Sequence, residues 1–252
     1  MLPDISPAVA KKHARWYAKN YYAVEDDILA IFEKFDTSLL DEFLKPKMRV
    51  LDAMMGRGRH AVRYAVNGCI VTGNDLNPHM VAYARKAAKA LRLSTKQLKL
   101  QTGDATDLKN IKTGSFDVAI AMFSAVGTIP KSEKRQAAMN EMARAVKKNG
   151  LVIVHAHNIL DGLFKRDFAA WSWRNLIRAD KGLEKGDIVT DYNGMKKMFN
   201  HFYTPAQFRK SYREAGLIVV EERYYDYGTK REVKGPFKRL RADGFIFIGK
   251  KK

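Results

Sequence analysis

Short apolar runs alternate with amphipathic stretches through the middle of this chain. The apolar runs predict five strands, at residues 49–52, 69–73, 98–101, 116–123 and 151–155. Apolar residues at helical spacing lie between several of these runs and predict helices at 59–67, 78–91 and 132–147. This alternation predicts an α/β fold in which helices cover both faces of a mostly parallel sheet.

The regions on either side of this alternation have different patterns. Residues 13–43 carry large apolar side chains at roughly helical spacing and predict an N-terminal helical region. Residues 187–203 predict a β-hairpin, because Asn193-Gly194 separates two runs and favours a tight turn. Thr204-Pro205 predicts the start of a helix that ends at Gly216, and residues 217–225 and 244–248 predict two final strands. The expected fold is therefore a doubly wound, seven-stranded, mostly parallel sheet with an inserted hairpin.

The chain is unusually basic, since its 252 residues include 46 Lys and Arg against 27 Asp and Glu, a net charge of +19. A first basic cluster consists of Arg85, Lys86, Lys89, Arg92, Lys96 and Lys99. A second basic cluster consists of Lys230, Arg231, Lys234, Lys238, Arg239 and Arg241. Such surfaces can attract nucleic acid or anionic substrates, or they can be solvated faces without a site.

The remaining composition narrows the class of protein. No apolar run approaches the ~20 residues that span a bilayer, and residues 1–10 show no signal-peptide pattern, so we expect no membrane partner. Cys69 is the single cysteine, which excludes an internal disulfide and a cysteine-based metal cluster. We expect no metal, and these features favour a cytoplasmic location.

The segment Val50-Leu51-Asp52-Ala53-Met54-Met55-Gly56-Arg57-Gly58-Arg59-His60 carries the clearest candidate chemistry. It predicts a strand ending at Asp52, a tight turn containing Gly56 and Gly58, and the start of a helix. Such a turn holds a nucleotide-like cofactor at the carboxyl edge of a doubly wound sheet, because glycines admit positive φ and a close ligand. With alanine at position 61 the pattern is also compatible with a dinucleotide, so the turn alone leaves the cofactor open.

Residues at the ends of the next three strands extend this candidate site. Asp75 ends the second strand, 23 residues after Asp52, where a carboxylate can accept two hydrogen bonds from a ribose diol. Asp104 follows the third strand, where it can accept a hydrogen bond from an adenine amino group. Met122 and Phe123 end the fourth strand and can form an apolar wall for the cofactor.

Together these motifs resemble the class I S-adenosylmethionine-dependent methyltransferases over nearly the whole chain. The family's V-L-D-x-G-C-G-x-G reads V-L-D-A-M-M-G-R-G over residues 50–58, so Met54 and Met55 replace the first glycine and the cysteine. Residues 71–80 match the family's V-x-G-x-D-x-S-x-x-M. Further matching segments lie at 103–105, 116–117, 135–150 and 202–216.

The resemblance implies a Rossmann-like methyltransferase fold, S-adenosylmethionine as the cofactor and S-adenosylhomocysteine as its product. The cofactor-binding residues would be Asp52, Gly56, Gly58, Asp75, Leu76, Met80, Asp104 and Ala105, with Met122 and Phe123 as the apolar wall. Asp52, Gly56 and Gly58 would line the methionine end, and Asp75 would hold the ribose hydroxyls. Leu76, Met80, Asp104 and Ala105 would lie at the adenine. Each aspartate has an alternative role as a helix cap or a turn residue.

Methyl transfer from a sulfonium requires alignment of the acceptor and removal of its proton, so few catalytic side chains are needed. His155 and His157 end the fifth strand on one face and are candidate bases, although a histidine at a strand end can also be structural. Tyr17 is a third candidate. It belongs to an aromatic group, Trp16, Tyr17, Tyr21 and Tyr22, that can close over the cofactor as a lid or simply pack as an amphipathic helix.

We expect a single domain in four parts: an N-terminal helical lid (1–45), a cofactor-binding core (46–158), an acceptor-covering insertion (159–203), and a C-terminal helix and strands (204–252). Residues 123–126 lack the N/D-P-P-Y/F motif, which argues against methylation of adenine, cytosine or glutamine amino groups. We expect a small polar acceptor, modified at nitrogen or oxygen, with Arg59, Arg174 or Arg178 holding an anionic group. A tRNA methyltransferase and a non-catalytic cofactor-binding module are the alternatives, and the oligomeric state stays open.

Overall fold

The computed structural model describes residues 35–164, 169–179, 182–192 and 195–252. Its strands are β1 Arg49–Asp52, β2 Ile70–Asp75, β3 Leu98–Thr102, β4 Phe116–Ala121, β5 Val146–His157, β6 Asp187–Tyr192, β7 Met195–His201, β8 Leu217–Asp226, β9 Arg231–Glu232 and β10 Gly244–Lys251. The main sheet has the order β3-β2-β1-β4-β5-β10-β8-β9. β1 to β5 are parallel, and β10 runs antiparallel to β5 and β8. The predicted doubly wound sheet is confirmed, and the short strand β9 adds an eighth member at its edge.

Helices connect β1 to β2, β2 to β3 and β4 to β5, as the apolar pattern predicts. In the described part of the chain they are α1 (residues 35–43), α2 Arg59–Val66, α3 Pro78–Ala90, α4 Ser132–Ala145, α5 Ala169–Ile177, α6 Pro205–Glu214 and α7 Lys238–Arg241, with 3-10 turns at Ala125–Thr128 and Asp161–Phe164. The predicted N-terminal helical region before residue 35 lies outside the described residues. No helix within the described ranges is long and apolar enough to cross a membrane.

The hydrophobic core forms one layer on each face of the main sheet. β4 separates the two layers: Val118 and Ile120 face the layer that contains residues of α1, α2 and α3, whereas Ala119 and Ala121 face the layer of α4 and α6. This alternation follows from the two-residue period of a strand. Because both faces are buried, the strands appear in the sequence as nearly continuous apolar runs.

The turn between β1 and α2 has the backbone geometry that its glycines predict. Gly56 has a φ of 55° and Gly58 a φ of 83°, a region that residues with a Cβ rarely adopt. A Cβ on Gly58 would also lie 2.8 Å from the Cβ of Ala84 in α3. The second glycine therefore serves both the turn and the close packing of α2 on α3.

Met54 and Met55 are accommodated by packing on opposite faces of the sheet. Met55 is buried, and its sulfur occupies the space where a side chain on Gly73 of β2 would project. Met54 packs against the other core layer. The bulkier residues thus leave the positive φ angles of Gly56 and Gly58 in place.

β5 is the strand that differs most from its prediction. It extends over Val146–His157 instead of 151–155, because Val146 already pairs with Phe116 before an irregularity in the ladder. Asn149 has a φ of 64° within this strand. The Lys148-Asn149-Gly150 segment is therefore an irregular stretch within the strand, and the preceding helix ends earlier, at Ala145.

The predicted hairpin is present as a separate two-stranded sheet. β6 and β7 are antiparallel, with Asp187 opposite His201 and Tyr192 opposite Met195, while the turn at 193–194 lies outside the described residues. β7 ends at His201, before the predicted end at residue 203, because Tyr203 bridges Asn158 instead. The helix α5, which precedes the hairpin, is not predicted by the apolar pattern.

Candidate active site

The parallel strands bring the predicted residues to one edge of the main sheet. Asp52 ends β1, Asp75 ends β2 and His157 ends β5, and β1, β4 and β5 are neighbours in the sheet. The strand order reverses between β1 and β4, which is the point where doubly wound folds bind ligands outside the carboxyl ends. We call the residues at this edge the candidate site.

Asp75 joins the glycine turn to the second strand. Its Oδ2 accepts a hydrogen bond from the N–H of Gly56 at 2.8 Å, and its Oδ1 accepts one from the N–H of Asn77 at 2.8 Å. A carboxylate has about four acceptor positions, so capacity remains for a ligand diol. Burial raises the pKa of Asp75, and the two backbone donors oppose that shift.

Asp52 is buried close enough to Asp75 for the two charges to interact. Burial first, and the charge of Asp75 second, raise the pKa of Asp52 to about 7. Its Oδ2 accepts no hydrogen bond from any described residue. A buried acceptor without a donor costs free energy, so a ligand that brings a donor to this oxygen gains affinity.

The residues expected at the adenine have unequal surroundings. Met80 and Ala105 are buried, whereas Leu76 is 68% exposed. The Oδ1 of Asp104 accepts hydrogen bonds from the N–H and the hydroxyl of Thr106, each at 2.8 Å. This turn geometry favours the alternative role of Asp104, as a turn residue.

The loop after β4 forms the next wall of the candidate site. Met122 is buried, and Phe123 and Ser124 have φ angles of 57° and 53°. Consecutive non-glycine residues in this region carry backbone strain, which often accompanies functional sites. The Ser124 hydroxyl accepts a hydrogen bond from the backbone N–H of His157 at 3.3 Å, so the loop is tied to the end of β5.

His155 and His157 lie on one face, with their ring centroids 5.8 Å apart. The hydroxyl oxygen of Tyr227 lies between them, 2.7 Å from Nε2 of His155 and 3.2 Å from Nδ1 of His157. Burial lowers the pKa of His155, and burial together with His155 lowers the pKa of His157 to about 3. Both imidazoles are therefore neutral at physiological pH, which is the form that can accept a proton.

Tyr227 was not predicted from the sequence. It directly follows β8, and no spacing marks it as a partner of the two histidines. The contact exists because β8 and β5 both flank β10, which brings their carboxyl ends to the same edge.

Asp36 on α1 is the second residue that the sequence did not reveal. Its carboxylate is fully buried. Oδ2 of Asp36 lies 2.9 Å from Nη2 of Arg59 and 3.5 Å from Nε2 of His60. Oδ1 of Asp36 lies 3.8 Å from Nδ1 of His155. Burial raises the pKa of Asp36, but these three neighbours outweigh it and lower the pKa. The one signal in the sequence is an aspartate beside Phe35 in an amphipathic stretch.

The arginines expected to hold an anionic acceptor are dispersed. Arg59 is already paired with Asp36. Arg174 lies on α5 and Arg178 follows it, and both are exposed. Tyr17 lies outside the described residues, as do Trp16, Tyr21 and Tyr22 of the expected lid.

A separate polar cluster holds the hairpin against α4. The buried Arg135 pairs with Glu184, and its Nη1 lies 3.6 Å from Oδ1 of Asp187. The same oxygen of Asp187 is 2.7 Å from Nδ1 of His201. Glu184, Asp187 and His201 have the atoms of a possible metal site, but Arg135 already neutralises the carboxylates, which favours a structural role.

The two basic clusters lie at opposite ends of the strands. The first cluster occupies the later part of α3 and the start of β3, away from the carboxyl edge. The second cluster lies between the end of β8 and the start of β10, where Gly244 pairs with His157. Only the second cluster is therefore at the same edge as the candidate site.

Comparisons with known proteins agree with this architecture. Residues 50–150 match a family model described as a methyltransferase domain. A glycine/sarcosine N-methyltransferase from Parasynechococcus marenigrum (strain WH8102) is 26% identical over 184 residues, which cover 73% of this chain and 60% of that protein. This chain spans less than two thirds of the length of the curated relatives it matches.

Solved structures share the fold at low sequence identity. An S-adenosylmethionine-dependent methyltransferase from Methanosarcina mazei superimposes with a TM-score of 0.67 at 17% identity, covering 84% of this chain and 96% of the other. A 1,6-didemethyltoxoflavin-N1-methyltransferase from Burkholderia thailandensis, solved with S-adenosylhomocysteine, gives a TM-score of 0.59 at 13% identity, covering 98% and 89%.

The fold and the carboxyl-edge site define the class of protein, a doubly wound α/β protein with a nucleotide-type cofactor site. Residues 50–150 match a methyltransferase domain, and the described chain has the fold of the class I S-adenosylmethionine-dependent methyltransferases to which it is similar.

Proposed function

We propose that this protein transfers a methyl group in line from S-adenosylmethionine to a nitrogen or oxygen atom of a small polar acceptor. The observation that carries this proposal is the position of Asp75. Its carboxylate binds the N–H of Gly56 at 2.8 Å and retains acceptor capacity at the carboxyl edge, where a ribose diol would lie.

The residues at the glycine turn fit this cofactor. A Cβ on Gly56 would meet no atom within 4 Å, so the backbone faces open space and not packed side chains. The Oδ2 of Asp52 offers a buried acceptor for the ammonium group at the methionine end. S-adenosylmethionine supplies a methyl carbon on a sulfonium, which is the electrophile.

The acceptor side of the candidate site supports a small substrate. The hairpin packs so closely on the turn after β4 that a Cβ on Gly127 would lie 2.7 Å from the backbone oxygen of His201. The ring of Phe202, next to the hairpin, lies 5.0 Å from the ring of His157. Two of the similar proteins, the glycine/sarcosine and the didemethyltoxoflavin methyltransferases, are named for small acceptors.

His157 is the proposed base. It is partly exposed, and burial together with His155 lowers its pKa, so the ring is neutral at physiological pH. A well-placed base contributes roughly 10²- to 10⁴-fold to the rate of proton transfer. Asp75 and Asp52 hold the cofactor in this scheme, and the insertion (159–203) covers the acceptor.

The second basic cluster supports a second candidate function, methylation of tRNA. Its exposed lysines and arginines lie at the carboxyl edge beside His157, where they would contact the phosphates of a bound RNA. A small acceptor remains the preferred substrate, because the ring of Phe202 beside the hairpin lies 5.0 Å from the ring of His157.

Transfer of a tritium-labelled methyl group from S-adenosylmethionine tests the proposal. Separate reactions contain glycine, sarcosine, other small amines and carboxylates, or bulk tRNA. We expect label in a small product, and we expect His157→Gln to reduce the rate about 100-fold while S-adenosylhomocysteine binding is retained. Label in tRNA alone, with binding that falls steeply with salt, would support the second candidate. Cofactor binding without transfer to any acceptor would support the non-catalytic module.

A further inference from the structure

We propose that Tyr227 and Asp36 extend the two histidines into a proton relay, which carries the acceptor's proton from His157 to His155 beside Asp36. This inference rests on the proposed function, because it assigns the route by which that reaction's proton leaves the acceptor. His157 alone touches the acceptor, and the other three are positioning residues.

The distances form a continuous path from the surface to the interior. Nδ1 of His157 lies 3.2 Å from the Tyr227 hydroxyl oxygen, which lies 2.7 Å from Nε2 of His155. Nδ1 of His155 then faces Oδ1 of Asp36 at 3.8 Å. Exposure falls along this path, since His157 is partly exposed, His155 is 1% exposed and Asp36 is fully buried.

Hydrogen-bond chemistry gives the path a direction. The relay requires the Tyr227 hydroxyl to donate its one proton across the shorter contact, to Nε2 of His155. Nδ1 of His157 would then donate to the Tyr227 oxygen, which leaves Nε2 of His157 as the atom that takes the acceptor's proton. The proton of neutral His155 would lie on Nδ1, towards the Asp36 carboxylate.

The proton balance closes along this path. The acceptor atom uses a lone pair for its new bond to the methyl carbon while the carbon–sulfur bond of the sulfonium breaks and leaves its electron pair on sulfur, and the acceptor's proton passes to Nε2 of His157. The Nδ1 proton of His157 moves to Tyr227 while the Tyr227 proton moves to Nε2 of His155. The end state is a neutral His157, a neutral Tyr227 and an imidazolium at His155 beside the Asp36 carboxylate. Reverse transfer to water through His157 restores the starting state.

The charged groups around His155 determine how readily it holds the extra proton of this end state. Asp36 is the group that raises the pKa of His155, against burial, Arg59 and His60, which lower it. Asp36 itself is paired with Arg59 and His60 of α2, so it stays a carboxylate. The acidic groups that act on Tyr227 besides Asp36 are Asp243 and Asp161.

Gly244 of β10 provides the room that the relay contact needs. A side chain at this position would overlap the Tyr227 hydroxyl and come within 3.0 Å of Nε2 of His155. The glycine therefore permits the tyrosine hydroxyl to reach the histidine pair.

Nitrogen NMR of protein labelled with ¹⁵N-histidine tests the relay through the tautomers of the two rings. In the wild type we expect both His155 and His157 to carry the proton on Nδ1, with assignments made from His155→Gln and His157→Gln. Tyr227→Phe and Gly244→Ala should each shift His157 towards the Nε2–H form, because Nδ1 loses its acceptor. Tyr224→Phe is the matched control, because the Tyr224 hydroxyl donates to Glu222 on the opposite face of the sheet. In this variant the tautomers of His155 and His157 should stay unchanged.

A wild-type His157 with its proton on Nε2 would overturn the relay, as would an unchanged tautomer in Tyr227→Phe. Calorimetry with S-adenosylhomocysteine on the same samples separates this failure from failure of the proposed function. Binding together with the wrong tautomers removes the relay and leaves the proposed function standing. Absence of both binding and methyl transfer removes the proposed function, and the relay with it.

Discussion

The buried carboxylate of Asp52 makes the stability of the ligand-free protein depend on pH. Burial and the nearby Asp75 raise its pKa from 3.8 to about 7. The folded protein therefore holds this proton more tightly than the unfolded chain, so the contribution is complete below pH ~4 and is lost as the pH rises through ~7. A shift of this size corresponds to about 4 kcal/mol, compared with a total stability of about 5–15 kcal/mol for a typical domain.

Asp52→Asn removes the titrating group, so we expect it to remove this pH dependence. Urea unfolding of variant and wild type between pH ~4 and ~8 measures the effect, and the free energy of unfolding should shift in favour of the variant by up to ~4 kcal/mol as the pH rises. Asp117→Asn is the control with the opposite sign. Partial burial raises the pKa of Asp117, but Lys147 and the N–H of Arg49 outweigh it and lower that pKa. Asp117→Asn should therefore lose stability relative to the wild type above pH ~4.

Parallel pH curves for the wild type and Asp52→Asn would show that Asp52 is not the source of this pH dependence. The same group links stability to the cofactor, because an ammonium group beside Asp52 would lower its pKa. Binding of S-adenosylhomocysteine near neutral pH should then release a fraction of a proton per chain. Binding enthalpies in buffers of different ionisation enthalpy measure that release, and identical enthalpies would contradict it.

Three further predictions concern the cofactor site and the C-terminal helix. Asp75→Asn should weaken S-adenosylhomocysteine binding in calorimetry by roughly tenfold or more, because one charge-assisted hydrogen bond contributes about 1.5–3 kcal/mol. The surface variant Asp107→Asn is the control and should bind as the wild type does. Gly58→Ala should lower the free energy of unfolding by about 1–3 kcal/mol, since its φ is 83° and its Cβ would lie 2.8 Å from that of Ala84. Thr204→Ala removes the capping box of α6 and should cost about 1 kcal/mol in thermal unfolding without changing cofactor affinity.

The strands and helices of the core were predictable because each is marked by its own residues. β4 is buried on both faces and therefore appears as an apolar run, interrupted only by Asp117 near its start. Pro205 and the Thr204 cap mark the start of α6 in the same local way. β5 was predicted too short, because its first residues belong to the strand only through the pairing of Val146 with Phe116.

Residues of the candidate site could be predicted from the sequence where they stand at the end of a strand. Asp52 and Asp75 satisfy that rule, and the topology brings both to the carboxyl edge. Asp104 was ambiguous because its competing partner, Thr106, is only two residues away. The contact between Tyr227 and His155 joins residues 72 positions apart and depends on the antiparallel strand β10 between β5 and β8, so no local pattern reveals it.

Calorimetric titration of the protein with S-adenosylmethionine shows whether the candidate site binds the proposed cofactor. We expect saturable binding at one site per chain, with a dissociation constant in the range of about 1 μM to 1 mM, and weaker binding by Asp75→Asn. No binding across that range, or equal binding by the wild type and Asp75→Asn, would contradict this expectation.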